Sequence, residues 1–287
     1  MAALTRVRRA RAVEAVAKVV TGAAAFGVLA TAAAVFGTIV WRGFPALSWA
    51  FLTQAPRMGM REGGILPAIE GTLALVVGTA LVALPLGIGA GVYLSEYAPR
   101  GVATRVVRLA ITNMAGVPSI VYGLFGLAVF VLRLGLGVSV AAGALTLACL
   151  TLPVVITATE EALRQVPQEL RQAALALGAT RWRTTYGVVL PAAAPGIVTG
   201  AVLGLSRAAG ETAPILFTAA AFFTPAPTSP LSKVMALPYH LYVLATQVPN
   251  PPQEIVWGTA LVLVASVAIV DIAAAAWRSA ARRRTRW

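Results

Sequence analysis

Apolar residues do not alternate with polar ones along this chain; they run together in long blocks. Uncharged stretches cover 19–41, 71–95, 109–132, 134–159, 184–206 and 255–270. Each but the last reaches the ~20 residues that a helix needs to cross a hydrocarbon core. The sixth is shortened only by Asp271, beyond which IAAAAW continues to Trp277. The pattern predicts an all-α integral membrane protein with six transmembrane helices. Composition agrees, since 59% of the 287 residues are hydrophobic and 11% charged. One soluble core of this size cannot hide that much apolar surface.

The basic residues between the blocks predict an orientation. With the N-terminus placed in the cytoplasm, the arm holds Arg6, Arg8, Arg9, Arg11 and Lys18. The 95–108 loop holds three more basic residues, the 160–183 loop four and the C-terminal tail five, seventeen of the 23 in all. Arg42, Arg57, Arg61, Arg133 and Lys233 fall on the other side, and Arg207 falls inside the fifth span. Positive residues gather on the cytoplasmic side of membrane proteins, so both termini are expected there. The arm is followed by 23 uncharged residues, beyond the ~7 to 15 of a secretory signal, so it predicts an uncleaved first span. The net charge of +13 flanks apolar runs and forms no basic stripe with interleaved aromatics, which argues against nucleic acid.

Several chemistries are excluded or left without support. Cys149 is the only cysteine and His240 the only histidine, so an intrachain disulfide and a two-histidine zinc site are both impossible. Cys149 is expected to be a small core residue, and His240, in a proline-rich segment, a surface one. Neither Lys18 nor Lys233 follows a glycine, so the phosphate-binding loop of an ATPase is absent. No nucleophile with a nearby base suggests an intramembrane enzyme.

The segment 160–187 is the longest internal cytoplasmic stretch of this topology. Pro167 suits a first helical turn, good helix formers follow from Gln168 to Leu177, and Gly178 stands where a glycine ends a helix. Leu170, Ala173, Ala174 and Leu177 recur at steps of three and four and predict one apolar face. That face suits docking into a groove, or equally lying on the membrane surface.

QAALALGATRWRTTYGVVLP resembles the cytoplasmic loop signature of bacterial ABC importer permeases. In that signature an EAA triplet is followed four residues later by glycine, and then, after nine intervening residues, by isoleucine, any residue, leucine and proline. Here the triplet is Gln172, Ala173 and Ala174, the glycine is Gly178, and the close is Val188 to Pro191. Gln172 departs from the usual glutamate, which weakens an ion pair there; Glu169 lies one turn earlier. AGVPSIVYGLFGLAVFV at 115–131, RAAGETAPILFTA at 207–219 and ALPYHLYVLATQ are similar to phosphate permease subunits of the PstA type. The sister PstC type shares the first two segments.

The resemblance implies the type I ABC importer permease fold, in the bacterial cytoplasmic (inner) membrane. It divides the chain into 1–70 (basic arm, first span, external loop), a permease core 71–277 with a coupling loop 160–187, and a basic tail 278–287. It implies three partners besides membrane lipid: a homologous permease as heterodimer, an ATP-binding subunit dimer, and an external phosphate-binding protein. This chain would bind no cofactor, ATP and Mg2+ being used by the ATPase. Glu169, Gln172, Ala173, Ala174 and Gly178 would meet that subunit. A permease for sulfate, molybdate or phosphonate is the alternative.

The fifth span is where chemistry concentrates. At 100° per residue, Gly196, Gly200, Gly204, Arg207 and Glu211 share one narrow face. Small residues at this spacing let membrane helices approach closely, so the face should meet a helix or a central pathway. Arginine suits phosphate because its planar fork matches two oxygens and stays charged. Glu211 can hold that fork when no anion is present, although a static pair that only fixes packing is also consistent with the pattern. Pro118 and Ser119 in the third span, near Asn113, predict either a broken helix whose amides meet an anion or a packing kink with Ser119 and Tyr122 bonded internally. Pro85 with Gly87, Gly89 and Gly91 predicts a kink or close contact. The segment 212–223 is expected to extend the fifth helix or to re-enter, and the proline-dense 224–254 to be an irregular external loop.

Overall fold

The computed structural model describes the backbone of residues 2–284 and the side chains of 14–279. The four arginines of the N-terminal arm and the basic tail from 280 onwards fall outside the described side chains. The chain opens with α1 (Ala2–Gly43), then α2 (Trp49–Thr53) and a two-residue antiparallel pair, β1 (Pro56–Arg57) with β2 (Glu62–Gly63). Next come α3 (Leu66–Val92), α4 (Val102–Ala115), α5 (Ser119–Gly126) and α6 (Val140–Arg164). The loop beyond carries α7 (Gln168–Ala176) and α8 (Arg181–Thr184) before α9 (Leu190–Gly210). The chain closes with α10 (Ala213–Thr218), α11 (Leu237–Thr246) and α12 (Gln253–Arg284). Wide π-helical turns at Tyr93–Tyr97, Leu127–Arg133 and Thr185–Val189 continue α3 and α5 and lead into α9.

Among the described residues, five helices are long and apolar enough to cross a membrane: α1, α3, α6, α12 and the run Arg181–Gly210. The third expected span is not one helix. It is α4 and the α5 run to Arg133, bent by 102° across Gly116–Pro118. Pro118 supplies no amide donor and holds the preceding residue away from helical geometry, so the break lies where the sequence places it. The sixth crossing exists only as this bent pair.

Glycine sets the spacing of the central helices. A methyl group added at Gly78, Gly87 or Gly91 of α3 would press on Ala144, Val155 or Thr159 of α6, at 2.6 to 2.8 Å. Gly87 and Gly91 are therefore contact glycines, while Gly89 faces open space. Without Cβ atoms the backbones approach closely and gain van der Waals contact that lipid cannot replace.

Two expectations for the outer segments are corrected. Of the two alternatives for 212–223, extension of α9 is the one overturned; α10 is a separate short helix against α5. The 224–254 stretch is not irregular throughout, because α11 forms within it with Leu237, Val243 and Leu244 buried. His240 is buried with them and is not a surface residue. Burial drives its pKa down to about 4, and its Nδ1 has no hydrogen-bond partner. Cys149 is half-buried and free.

Candidate functional site

The glycine face of α9 packs where expected. A Cβ at Gly196 would lie 2.7 Å from that of Ala162, one at Gly200 would collide with Ala158, and one at Gly204 would touch Thr151 at 3.0 Å, all on α6. Gly200 and Gly204 are buried. Arg207 shares their side of the helix, but its side chain is 47% exposed.

Helix α9 stops at Gly210, and Glu211 is extended at φ −75° and ψ 127°. Pro214, in the first turn of α10, cannot donate to a continuing helix. Glu211 is thereby turned back on Arg207, whose Nε donates to Oε1 at 3.3 Å. Its side chain is 16% exposed. One of five guanidinium donors is used; among the described residues neither terminal nitrogen of Arg207 has an acceptor.

Beside the pair lies a cavity of about 630 Å3 lined by Phe36, Ser206, Arg207, Gly210, Glu211 and Asp271, among others. The Ser206 hydroxyl donates to Asp271 Oδ1 at 2.5 Å. Asp271 enters the sequence reading only as an interruption of the last apolar run. Its signal was there, because a carboxylate inside a membrane helix is costly and tends to face protein or water.

The third span brings one more polar group close. Tyr122 of α5 donates its hydroxyl to the Met114 carbonyl at 2.8 Å, which also accepts the Val117 N–H at 3.1 Å, so the tyrosine ties α5 back to the last turn of α4 across the break. Asn113 has an exposed side chain and Ser119 a half-buried one. Neither has a side-chain hydrogen bond to Arg207 or Glu211 among the described residues, so the four expected pathway residues are not one bonded cluster.

At the other end of α9 the loop takes the shape its sequence implies. Gly178 has φ +83°, a left-handed conformation that a Cβ disfavours. Ala179 N–H donates to the Ala174 carbonyl at 3.1 Å and Gly178 N–H to that of Leu175 at 3.0 Å, the paired bonds of a Schellman stop. The single apolar face is corrected, however. Leu170 and Ala174 are half-buried, with Leu170 packed against the core at the base of α3, α6 and α9. Glu169, Gln172 and Ala173 are exposed, and Leu177 is 90% exposed just past the helix. Trp182 and Tyr186, ring centroids 3.9 Å apart, add exposed apolar area to that tip.

A second ion pair holds this loop. Arg171 Nη2 lies 3.0 Å from Glu96 Oε1 and Nε 3.4 Å from Oε2; Nη1 reaches the Val166 carbonyl at 2.6 Å and Nη2 that of Leu163 at 2.8 Å. Both side chains are 13% exposed. Arg108 adds a parallel tie, bonding Glu160 at 3.1 Å and the Leu94 carbonyl at 2.7 Å. These contacts fasten α7 and α4 to the ends of α3 and α6.

The family described as the binding-protein-dependent transport system inner membrane component matches residues 83–283. The chain belongs to this family. Among its relatives, the probable ABC transporter permease protein YqgI of Bacillus subtilis is 38% identical over 253 residues, 83% of this chain and 86% of that protein. The phosphate transport system permease protein PstA 1 of Mycobacterium tuberculosis is 41% identical over 227 residues, 78% and 72% of the two chains. The probable PstA of Methanocaldococcus jannaschii is 37% identical over 227 residues, 79% and 80%.

Solved permeases share the architecture at low identity. A chain of the inward-facing MetNI methionine ABC transporter aligns with TM-score 0.63 at 19% identity, covering 76% of this chain and 95% of that one. A chain of the bacterial alginate ABC transporter aligns at 0.60 and 15%, covering 87% and 91%. This inner membrane component is thus a multi-pass, all-α membrane protein with the type I ABC importer fold. The family match takes in the Arg171–Glu96 and Arg207–Glu211 pairs and the α7 loop.

Proposed function

We propose that this chain is the PstA-type permease subunit of an ATP-driven phosphate importer in the bacterial cytoplasmic membrane, with both termini in the cytoplasm. It forms half of the pathway with a homologous PstC-like permease. A PstB-like ATPase dimer uses ATP and Mg2+ and engages the α7 tip, and a PstS-like binding protein delivers phosphate from outside. The curated relatives named as phosphate permeases support the cargo.

The observation that carries the reading is Arg207, a guanidinium in a membrane helix with one donor on Glu211 and both terminal nitrogens open. Such a fork binds two oxygens of a phosphate while remaining charged in low dielectric. Glu211 positions the fork through Nε and neutralises it between cargoes; the anion takes the open terminal nitrogens and competes with Glu211 for Nε alone. Cargo release then needs no deprotonation, only the return of Glu211. The glycine seam on α6 holds α9 close while α7, at the other end, receives the ATPase.

The test is reconstitution of the four-part transporter in proteoliposomes with ATP-dependent uptake of phosphate, sulfate and molybdate compared. Saturable uptake of phosphate alone is expected. Uptake of sulfate or molybdate in preference to phosphate overturns the cargo, and no ATP-dependent uptake of any of the three overturns the oxyanion reading.

A further inference from the structure

At the foot of the bundle, where α3 and α6 leave the membrane, the 95–100 stretch and the loop bearing α7 and α8 enclose a cavity of about 680 Å3. Four arginines line it: Arg100, Arg164, Arg171 and Arg181, with Ser95 and Gln168 as further polar groups. Glu96 is the one carboxylate in the lining, and Arg171 occupies both of its oxygens. Arg164 makes a loose contact of 3.8 Å with Glu160, which Arg108 already holds at 3.1 Å. Among the described residues Arg100 and Arg181 have no carboxylate within 4.0 Å and no side-chain hydrogen bond.

Guanidinium groups gathered without enough carboxylates repel one another, and Arg171, fixed by four hydrogen bonds, cannot move away from the exposed Arg100, Arg164 and Arg181 beside it. A bound anion relieves that repulsion, and planar donor forks favour phosphate oxygens. The setting also limits its source. Tyr93 and Val102, on either side of the 95–100 stretch, are exposed, an apolar flank at the membrane boundary that acyl chains can cover. Basic pockets between membrane helices on the cytoplasmic side take anionic lipid headgroups.

From this geometry we infer that the cavity is an anion site for a phosphate group, carried by an anionic phospholipid or free as inorganic phosphate, that braces the α7 loop against the ends of α3 and α6. It is separate from the Arg207–Glu211 pair at the far end of α9, and its occupant touches both the 95–100 stretch and the first turn of α7. Occupancy stiffens the part of the chain that receives force, so the lipid or phosphate around the protein sets how well ATP hydrolysis is transmitted.

The experiment uses the assembled transporter in nanodiscs of phosphatidylcholine with graded phosphatidylglycerol, comparing wild type with the Arg100→Gln/Arg181→Gln double variant. Neither side chain holds another element, so the variant is expected to fold and assemble. Phosphatidylglycerol retained through purification is counted by native mass spectrometry, and binding of radiolabelled inorganic phosphate is measured in lipid-depleted detergent. Each arginine near an anionic group changes binding by roughly fivefold, so the double variant should lose tenfold or more. Loss confined to the lipid arm identifies a headgroup, and loss confined to the phosphate arm identifies the free anion. Unchanged binding in both arms overturns the site. Unchanged binding with loss of the ATPase subunit also overturns it, in favour of a protein carboxylate.

Discussion

Two Arg–Glu pairs sit at opposite ends of one machine, and they are built to different ends. Arg171 and Glu96 are 75 residues apart in sequence, equally buried, and the guanidinium also satisfies two helix-terminal carbonyls. Arg207 and Glu211 are one turn apart, joined by a single bond at 3.3 Å, with the guanidinium half exposed. The first pair has few donors left over and acts as a brace. The second keeps most of its donors open and is held in place by only one partner. Saturation of hydrogen-bonding capacity, more than charge, separates a structural ion pair from one able to bind a ligand.

The largest way to break the comparison is Arg171→Ala. Removing one member of a buried pair leaves the other charge without its partner and takes a donor from the Val166 and Leu163 carbonyls, of which Leu163 keeps the Val166 N–H, at a cost of about 3 to 5 kcal/mol. Thermal unfolding of the detergent-solubilised complex should shift down by several degrees and ATPase coupling should fall with it. An unchanged midpoint would show that the brace carries no load.

Arg207→Gln should do the reverse. Uptake falls by roughly a hundredfold, as when a key charge-stabilising donor is lost, while assembly and unfolding temperature stay near wild type. Normal uptake by this variant removes Arg207 from the pathway. Arg207→Lys sharpens the point, because it keeps the charge and loses the fork; partial recovery identifies geometry as well as charge.

His240 is a buried polar group with neither kind of partner at Nδ1. Its folded pKa of about 4 lies below the ordinary 6.5, so the unfolded chain binds the extra proton first. Stability is therefore full above about pH 6.5 and declines as pH falls towards 4, by up to about 3 kcal/mol. His240→Phe should flatten that decline; an identical pH profile in the variant would assign acid sensitivity elsewhere.

The smallest expected effect is at the loop. Gly178→Ala places a Cβ on a left-handed residue with open space around it, so strain alone acts, about 1 kcal/mol. Coupled ATPase activity should drop less than tenfold with cargo preference unchanged. Altered cargo preference would contradict the separation of the two ends.

What the sequence showed and hid follows from range. Arg207, the glycine seam, the Pro118 break and the Gly178 stop rest on local geometry, where spacing and backbone preference act within a turn or two. The Glu96–Arg171 and Ser206–Asp271 bonds join distant segments, and no local pattern announces them. The 102° angle at Pro118 was equally hidden, since a proline marks a break while packing against α6 and α10 fixes the direction. His240 was misread because composition says little about a helix that nests against the heads of α3 and α12. The apolar stripe of α7 was seen, but periodicity could not divide it between the bundle, which takes Leu170 and Ala174, and the outside.

The way Arg171 is fastened also sets a load path. It is the fourth residue of α7, and from there to Leu177 the helix makes an arm of about 9 Å at 1.5 Å per residue. The fulcrum is tied at once to the foot of α3 through Glu96 and to that of α6 through Leu163 and Val166. With the ATPase docked at the tip as proposed, a push there is shared between two spans as torque, and α7 would work as a crank with both spans on its shaft.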